Sequence, residues 1–210
     1  MKKDLVGLFA EKNFYRRWLL ACSLSIPASL ALGKTLSFAI GFATGNSKAW
    51  AAGFAISSML TGALVGLVQW LVLGRRTAQG YRWVLASGLG WAVGSLMTVV
   101  VGNGIFGLVN LALFGAVNIG LVWAVSGAVS GFVSGAIGGS VFGLAQWLVL
   151  REKVSKADGW VLSSSLGWAV GNIAIAAIAT TATGIIGLVL SWMIFGVVYG
   201  VATSKAPYSA

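Results

Sequence analysis

The sequence predicts an all-α, polytopic transmembrane helix bundle made of three similar hairpin units. Three observations carry that expectation. First, 58% of the 210 residues are hydrophobic and only 9% are charged, with a mean hydropathy of +0.92. A soluble domain carries roughly 25% charged residues, so this chain cannot cover a water-facing surface on all sides. Second, residues 83–150 contain no Asp, Glu, Lys, Arg or His, where ~20 apolar residues already suffice for one transmembrane helix. Third, the stretch 66–94 (GLVQWLVLGRRTAQGYRWVLASGLGWAVG) returns almost intact at 143–171 (GLAQWLVLREKVSKADGWVLSSSLGWAVG). Each copy reads as an apolar helix, a short basic turn and a second apolar helix running back.

The elements follow in order. Residues 1–17 form a basic head with Lys2, Lys3, Lys12, Arg16 and Arg17, which the positive-inside rule places in the cytoplasm. A basic stretch before an apolar one also fits a signal peptide. However, Trp18-Leu-Leu-Ala-Cys-Ser-Leu aligns with the helix starts at Trp83 and Trp160, so the segment is read as a retained span. The units are then 18–73, 83–150 and 160–204, with a short tail at 205–210. Units one and three suit two spans each. Unit two is longer, and hydropathy alone would fit three spans there. Basic turns follow both Gln-Trp copies, with Arg75, Arg76 and Arg82 in the first and Arg151, Lys153 and Lys156 in the second. An even number of spans between them keeps both on one side. The expectation is therefore six spans, with seven as the alternative, and segment 104–120 re-entrant or lying at the outer interface. Lys34 and Lys48 then fall on the outer side. Pro27 is expected to kink the first helix, with Ser23 or Ser25 bonding the freed carbonyl.

Small residues recur every four positions. Gly127, Gly131, Gly135, Gly139 and Gly143 form one row, and Ser126, Ser130, Ser134 and Gly138 form a second beside it. Gly62 and Gly66, then Ala86, Gly90 and Gly94, then Ser163, Gly167 and Gly171 keep the same phase, as do Ala21, Ser25, Ser29 and Gly33. Such rows let helix backbones approach closely inside lipid.

Catalytic groups are sparse. The only acids are Asp4, Glu11, Glu152 and Asp158, and there is no histidine. A Ser–His–Asp arrangement is ruled out, and proton relays and metal sites lack their usual ligands. A non-enzyme without a metal site is the expectation. The single Cys22 allows no intramolecular disulfide and is read as a packing residue. The polar groups left are Gln69 and Gln146, one turn before the basic turns. They either bond a neighbouring helix or meet a ligand such as the magnesium of a chlorophyll; carotenoid is the other pigment considered, and the cofactor is left open. Trp70, Trp83, Trp147 and Trp160 are expected in an aromatic belt at the head groups, and Trp91 and Trp168 between helices. Asn103, Asn110 and Asn118 either line a polar path or pin the irregular segment. The excess of 14 Lys and Arg over 4 Asp and Glu is assigned to topology and anionic head groups, and nucleic acid is not an expected partner.

The repeated Gly-x-x-Gln-Trp-Leu-Val-Leu, basic turn, Trp-Val-Leu-(Ala/Ser)-Ser and Gly-Trp-Ala-Val-Gly pattern resembles a group of uncharacterised multi-pass membrane proteins common in cyanobacteria. The resemblance spans both full copies and, more weakly, Trp18 to Ser25. It departs at Gly74, where arginine usually follows the leucine, and in unit three, which lacks a Gln-Trp pair. It implies a plasma or thylakoid membrane and carries no activity. The functional expectation is a structural or accessory subunit in the lipid bilayer, packing against other membrane protein subunits or a second copy, for example in a photosynthetic complex. The alternatives are a channel or facilitator for a small neutral solute, and a pigment- or lipid-binding protein.

Overall fold

The computed structural model describes residues 12–44, 47–73, 80–115, 118–151, 159–181 and 184–204. The head at 1–11, the tail at 205–210 and most of both basic turns lie outside the described residues, as do the side chains of Lys34 and Lys48. The described chain is six helices: α1 (Lys12–Thr44), α2 (Ser47–Leu73), α3 (Gly80–Leu113), α4 (Ile119–Leu150), α5 (Gly159–Thr181) and α6 (Gly184–Ser204). No strand is present among the described residues. Each helix packs mainly against its chain neighbours, and α6 closes against α1. The result is a six-membered ring of antiparallel helices.

Five helices are long and apolar enough to cross a membrane: Ala51–Leu73, Gly80–Leu113, Ile119–Leu150, Gly159–Ile178 and Ile186–Ser204. This is a multi-pass, integral membrane architecture. Helix α1 has 33 residues, a rise of ~50 Å.

The extra length of unit two is neither a seventh helix nor a re-entrant segment. Residues 104–113 are the last turns of a 34-residue α3, and α4 begins at Ile119 and runs for 32 residues. At 1.5 Å per residue these helices are ~50 Å long, while α5 and α6, with 23 and 21 residues, reach only ~30–35 Å. The α3–α4 connection is tight. Gly115 takes φ +77, a left-handed conformation that glycine adopts without a Cβ clash. Asn118 caps α4, its Oδ1 accepting from Gly120 N at 2.8 Å.

Alternation puts the starts of α1, α3 and α5 and the ends of α2, α4 and α6 at one end. The exposed Arg16, Arg17, Arg82 and Arg151 gather there. The Arg151 guanidinium lies 5.0 Å from the Trp147 ring centroid.

The small-residue rows explain how the ring closes. A Cβ added to Gly135, Gly139 or Gly143 would meet α5 atoms between 2.6 and 2.7 Å away, at Trp168 and Ser164. Gly131 faces Asn172 and Gly127 faces Ala176 on the same helix. The second row turns the other way: Gly138 meets Gly94 O and Thr98 Oγ1 on α3, and Ser134 lies against Gly102. One helix thus presents two adjacent faces to two neighbours. Gly62 and Gly66 meet Ser87 on α3; Gly90 and Gly94 meet α4; Gly167 and Gly171 meet Tyr199 and Phe195 on α6. In α1, Gly33 abuts Ser57 and Thr61, and Thr61 Oγ1 donates to Ser29 O at 3.2 Å. Helix α1 continues through Pro27. Pro27 frees the Ser23 carbonyl; nearby hydroxyls bond other carbonyls, Ser23 Oγ donating to Leu20 O at 3.4 Å and Ser29 Oγ to Ser25 O.

Candidate functional site

The ring is filled along its axis by stacked layers. The first holds the three tryptophans that open the units. Trp18, Trp83 and Trp160 are all nearly or fully buried. Trp160 makes edge contacts of 5.8 Å with both others, and Phe14 stacks on Trp18 at 5.7 Å. The sequence expectation put Trp83 and Trp160 in a lipid-facing belt. The structure corrects this, because both lie on the helix face that carries Ser87 and Ser164, one turn on, into the ring. Trp70 and Trp147, on α2 and α4, are only partly buried.

One turn further in lies a polar layer, and its hub is Gln146. Gln69 and Gln146 are 0% exposed. Gln146 Nε2 donates to Gln69 Oε1 at 3.0 Å and to Ser87 Oγ at 2.9 Å. Its Oε1 accepts from Trp160 Nε1 at 3.0 Å and from Tyr199 OH at 3.1 Å. A glutamine amide has two N–H donors and two acceptor lone pairs, so this one is filled. Gln69 Nε2 reaches Cys22 Sγ at 3.6 Å. Of the two roles expected for these glutamines, the geometry realises bonding between helices. In this arrangement Gln146 has no lone pair left for a metal ion or a chlorophyll.

Unit three has a counterpart that sequence reading missed. Gly66 packs on Ser87, Gly143 on Ser164 and Gly196 on Cys22. These three serine and cysteine positions each lie four residues after the unit tryptophan. In that register Tyr199 stands where Gln69 and Gln146 stand, and Gly200 replaces the following tryptophan. The available signal was the shared Gly-x-x-(Gln/Tyr) spacing at Gly66, Gly143 and Gly196. Trp18 uses unit three too, donating to Thr203 Oγ1 at 3.0 Å.

The third layer is aromatic. Trp91 lies 5.0 Å from Trp168 and 5.4 Å from Phe142, and Trp168 lies 5.7 Å from Phe195. Ile26 and Val65, both fully buried, complete it from unit one. Trp91 and Trp168 therefore pack between helices, at the centre of the ring.

Beyond this layer the ring is no longer filled. A cavity of about 350 Å³ begins on Trp91, Trp168 and Phe195 and continues away from the arginine end. Its walls include Ser57, Ser58 and Thr61 of α2, Ser95 and Thr98 of α3, and Asn172 of α5. Asn103, Asn110 and Asn118 are not among its lining residues. Asn118 caps α4, Asn110 Nδ2 donates to its own helix at Phe106 O, and Asn103 is exposed. Asn110 and Asn118 thus bond locally at the ends of the long hairpin. Among the described residues no group of three or more His, Cys, Asp or Glu side chains comes together.

No protein-family model, curated protein or solved structure matches this chain.

Proposed function

We propose that the protein is a non-enzymatic structural or accessory subunit of the membrane, with its arginine end in the cytoplasm, that works by presenting its outer face to other membrane proteins or to a second copy. The observation that carries this reading is the sealed axis. Three consecutive layers of tryptophan, glutamine–tyrosine and aromatic side chains fill the ring's axis. That disfavours the channel alternative. What remains to interact is the exterior, which is apolar on every helix, from Leu24 and Leu32 on α1 to Ile194 and Val201 on α6. The unit-two hairpin extends furthest and ends in Leu108, Leu111, Phe114 and Trp123, each more than half exposed. The arginines gathered at one end fit the inner side of a bilayer. The resemblance to cyanobacterial proteins makes plasma and thylakoid membranes the places to look.

Two measurements test the reading. Purification in a mild detergent should give a particle larger than one chain, and liposomes containing the protein should pass glycerol and urea no faster than empty ones. A clean monomer across several mild detergents, or facilitated glycerol flux, overturns it.

A further inference from the structure

The cavity has a chemical bias that the packing of the ring does not require. Three of the five hydroxyls in its wall donate within the protein. Thr61 Oγ1 donates to Ser57 O at 2.8 Å and to Ser29 O, Thr98 Oγ1 to Gly94 O at 2.9 Å and Ser134 O at 3.2 Å, and Ser57 Oγ to Phe54 O at 3.0 Å. Asn172 Nδ2 is turned back to Trp168 O at 2.8 Å. Two wall residues are different. The indole N–H groups of Trp168 and Trp192 are buried and have no hydrogen-bond partner, and both rings line the cavity. Phe195 lies between them, 5.7 Å from one ring and 5.6 Å from the other. A buried indole N–H without an acceptor is costly, and native proteins rarely leave one.

The repeat sharpens the point. In the register that aligns Gly66, Gly143 and Gly196, Trp192 occupies the place of Gly62 and Gly139. Those glycines let the next helix approach, with a Cβ at either meeting Ser87, Trp91, Ser164 or Trp168 atoms within 2.6 Å. Unit three has an indole there instead, and the cavity lies beside it.

We propose that this cavity is a binding site for a neutral, ring-sized apolar molecule bearing carbonyl-type hydrogen-bond acceptors, held by the indole N–H groups of Trp168 and Trp192. The volume is in the range of small-molecule sites, ~300–1,000 Å³. The wall offers the rings of Trp91 and Phe195, and none of the described residues that line it is ionisable, which disfavours a charged ligand. This site is separate from the glutamine layer, and it stands whether or not the protein works as an accessory subunit.

The test uses the detergent-solubilised full chain, titrated calorimetrically with 1,4-naphthoquinone and, as a control of the same shape without acceptors, naphthalene; empty micelles give the blank. Saturable binding of one naphthoquinone per chain, roughly tenfold tighter than naphthalene, is expected. Ser95→Phe, which puts a ring into the space, should abolish it. Trp192→Phe keeps the ring and removes one donor, and should weaken it roughly tenfold with the thermal melt unchanged. A decyl-tailed naphthoquinone then separates two sources of the same chemistry: tighter binding indicates the head of a larger membrane lipid, equal binding a free small molecule. The proposal is overturned if naphthoquinone does not saturate, if naphthalene binds as well, or if both variants bind like the parent. It is independent of particle size and flux, so its failure leaves the accessory-subunit reading untouched.

Discussion

Replacing Gln146 with leucine nearly conserves side-chain volume and deletes the hub of the polar layer. Four bonds go at once, to Gln69, Ser87, Trp160 and Tyr199. Two estimates bound the effect. Interhelical hydrogen bonds in a bilayer average ~0.6 kcal/mol each, which for four gives ~2.4 kcal/mol. Leaving a buried donor without an acceptor costs ~1–3 kcal/mol per group, and Trp160 Nε1 and Tyr199 OH both lose theirs. The expected loss is therefore about 2–5 kcal/mol. Ser87 can turn its hydroxyl toward its own helix, as Ser134 and Thr98 do, and that argues for the lower half of the range. The assay is reversible unfolding in mixed micelles of increasing SDS fraction, followed by tryptophan emission. Gln69→Leu alone should cost about 1–2 kcal/mol, since it removes one strong partner and the weak contact to Cys22. The double variant should cost less than the two singles together, because removing both ends of a bond leaves no orphan. A Gln146→Leu protein within about 0.5 kcal/mol of the parent, or strict additivity, would refute the layer as a coupled network.

Two further predictions follow from the packing. Gly94→Ala places its Cβ 2.6 Å from the Gly138 carbonyl oxygen, an obstacle that is backbone and cannot rotate away, and should destabilise by about 1–3 kcal/mol; Gly104→Ala, on the same helix with nothing within 4 Å, should be neutral or stabilise by up to about 1 kcal/mol, and equal melts for the two would show that α3 does not approach α4 as described. Cys22 is fully buried with the α6 backbone against its own at Gly196, so N-ethylmaleimide should leave the folded protein unlabelled for hours and modify it within minutes in SDS; rapid labelling in mild detergent would mean that the α1–α6 seam opens.

The sequence carried the helix count and the units because both rest on strong, local signals. Lipid removes charge from whole helices, and Trp18, Trp83 and Trp160 mark the same point in three units. Small residues four apart were legible for the same reason, since a single helix face repeats with that period. What could not be read was where each face points. Trp83 beside a basic turn satisfies an aromatic-belt pattern, yet it lies inside, because a ring of six helices has an axis wide enough to be filled by large rings. The fate of 104–120 was hidden in a similar way. An apolar stretch with glycines reads alike as a re-entrant loop and as the end of an overlong helix, and only the α4 cap at Asn118 decides. The cavity was illegible, because its walls come from five helices and its most telling residue, Trp192, lies in the unit whose repeat signature is weakest.

That last point bears on where function resides. The residues common to the units (the tryptophans, the glutamines and the glycine rows) build the sealed half of the ring, and their repetition is explained by packing and by closing a polar layer on itself. The cavity is lined by residues that break the repeat: Asn172 aligns with Leu30 and Ser95, Thr61 with Gly138 and Ser191, and Trp192 with Gly62 and Gly139. Packing alone gives three similar units no reason to carry an indole at Trp192, because the glycines at the matching positions allow closer approach and leave no orphaned indole. The divergence therefore carries more information about function than the repeated pattern does. Trp192→Gly makes the contrast experimental. It restores the repeat and should close the α6–α1 seam, so it should raise the unfolding midpoint while eliminating naphthoquinone binding. If it lowers stability instead, Trp192 is part of the packing and the cavity is a by-product of accommodating it.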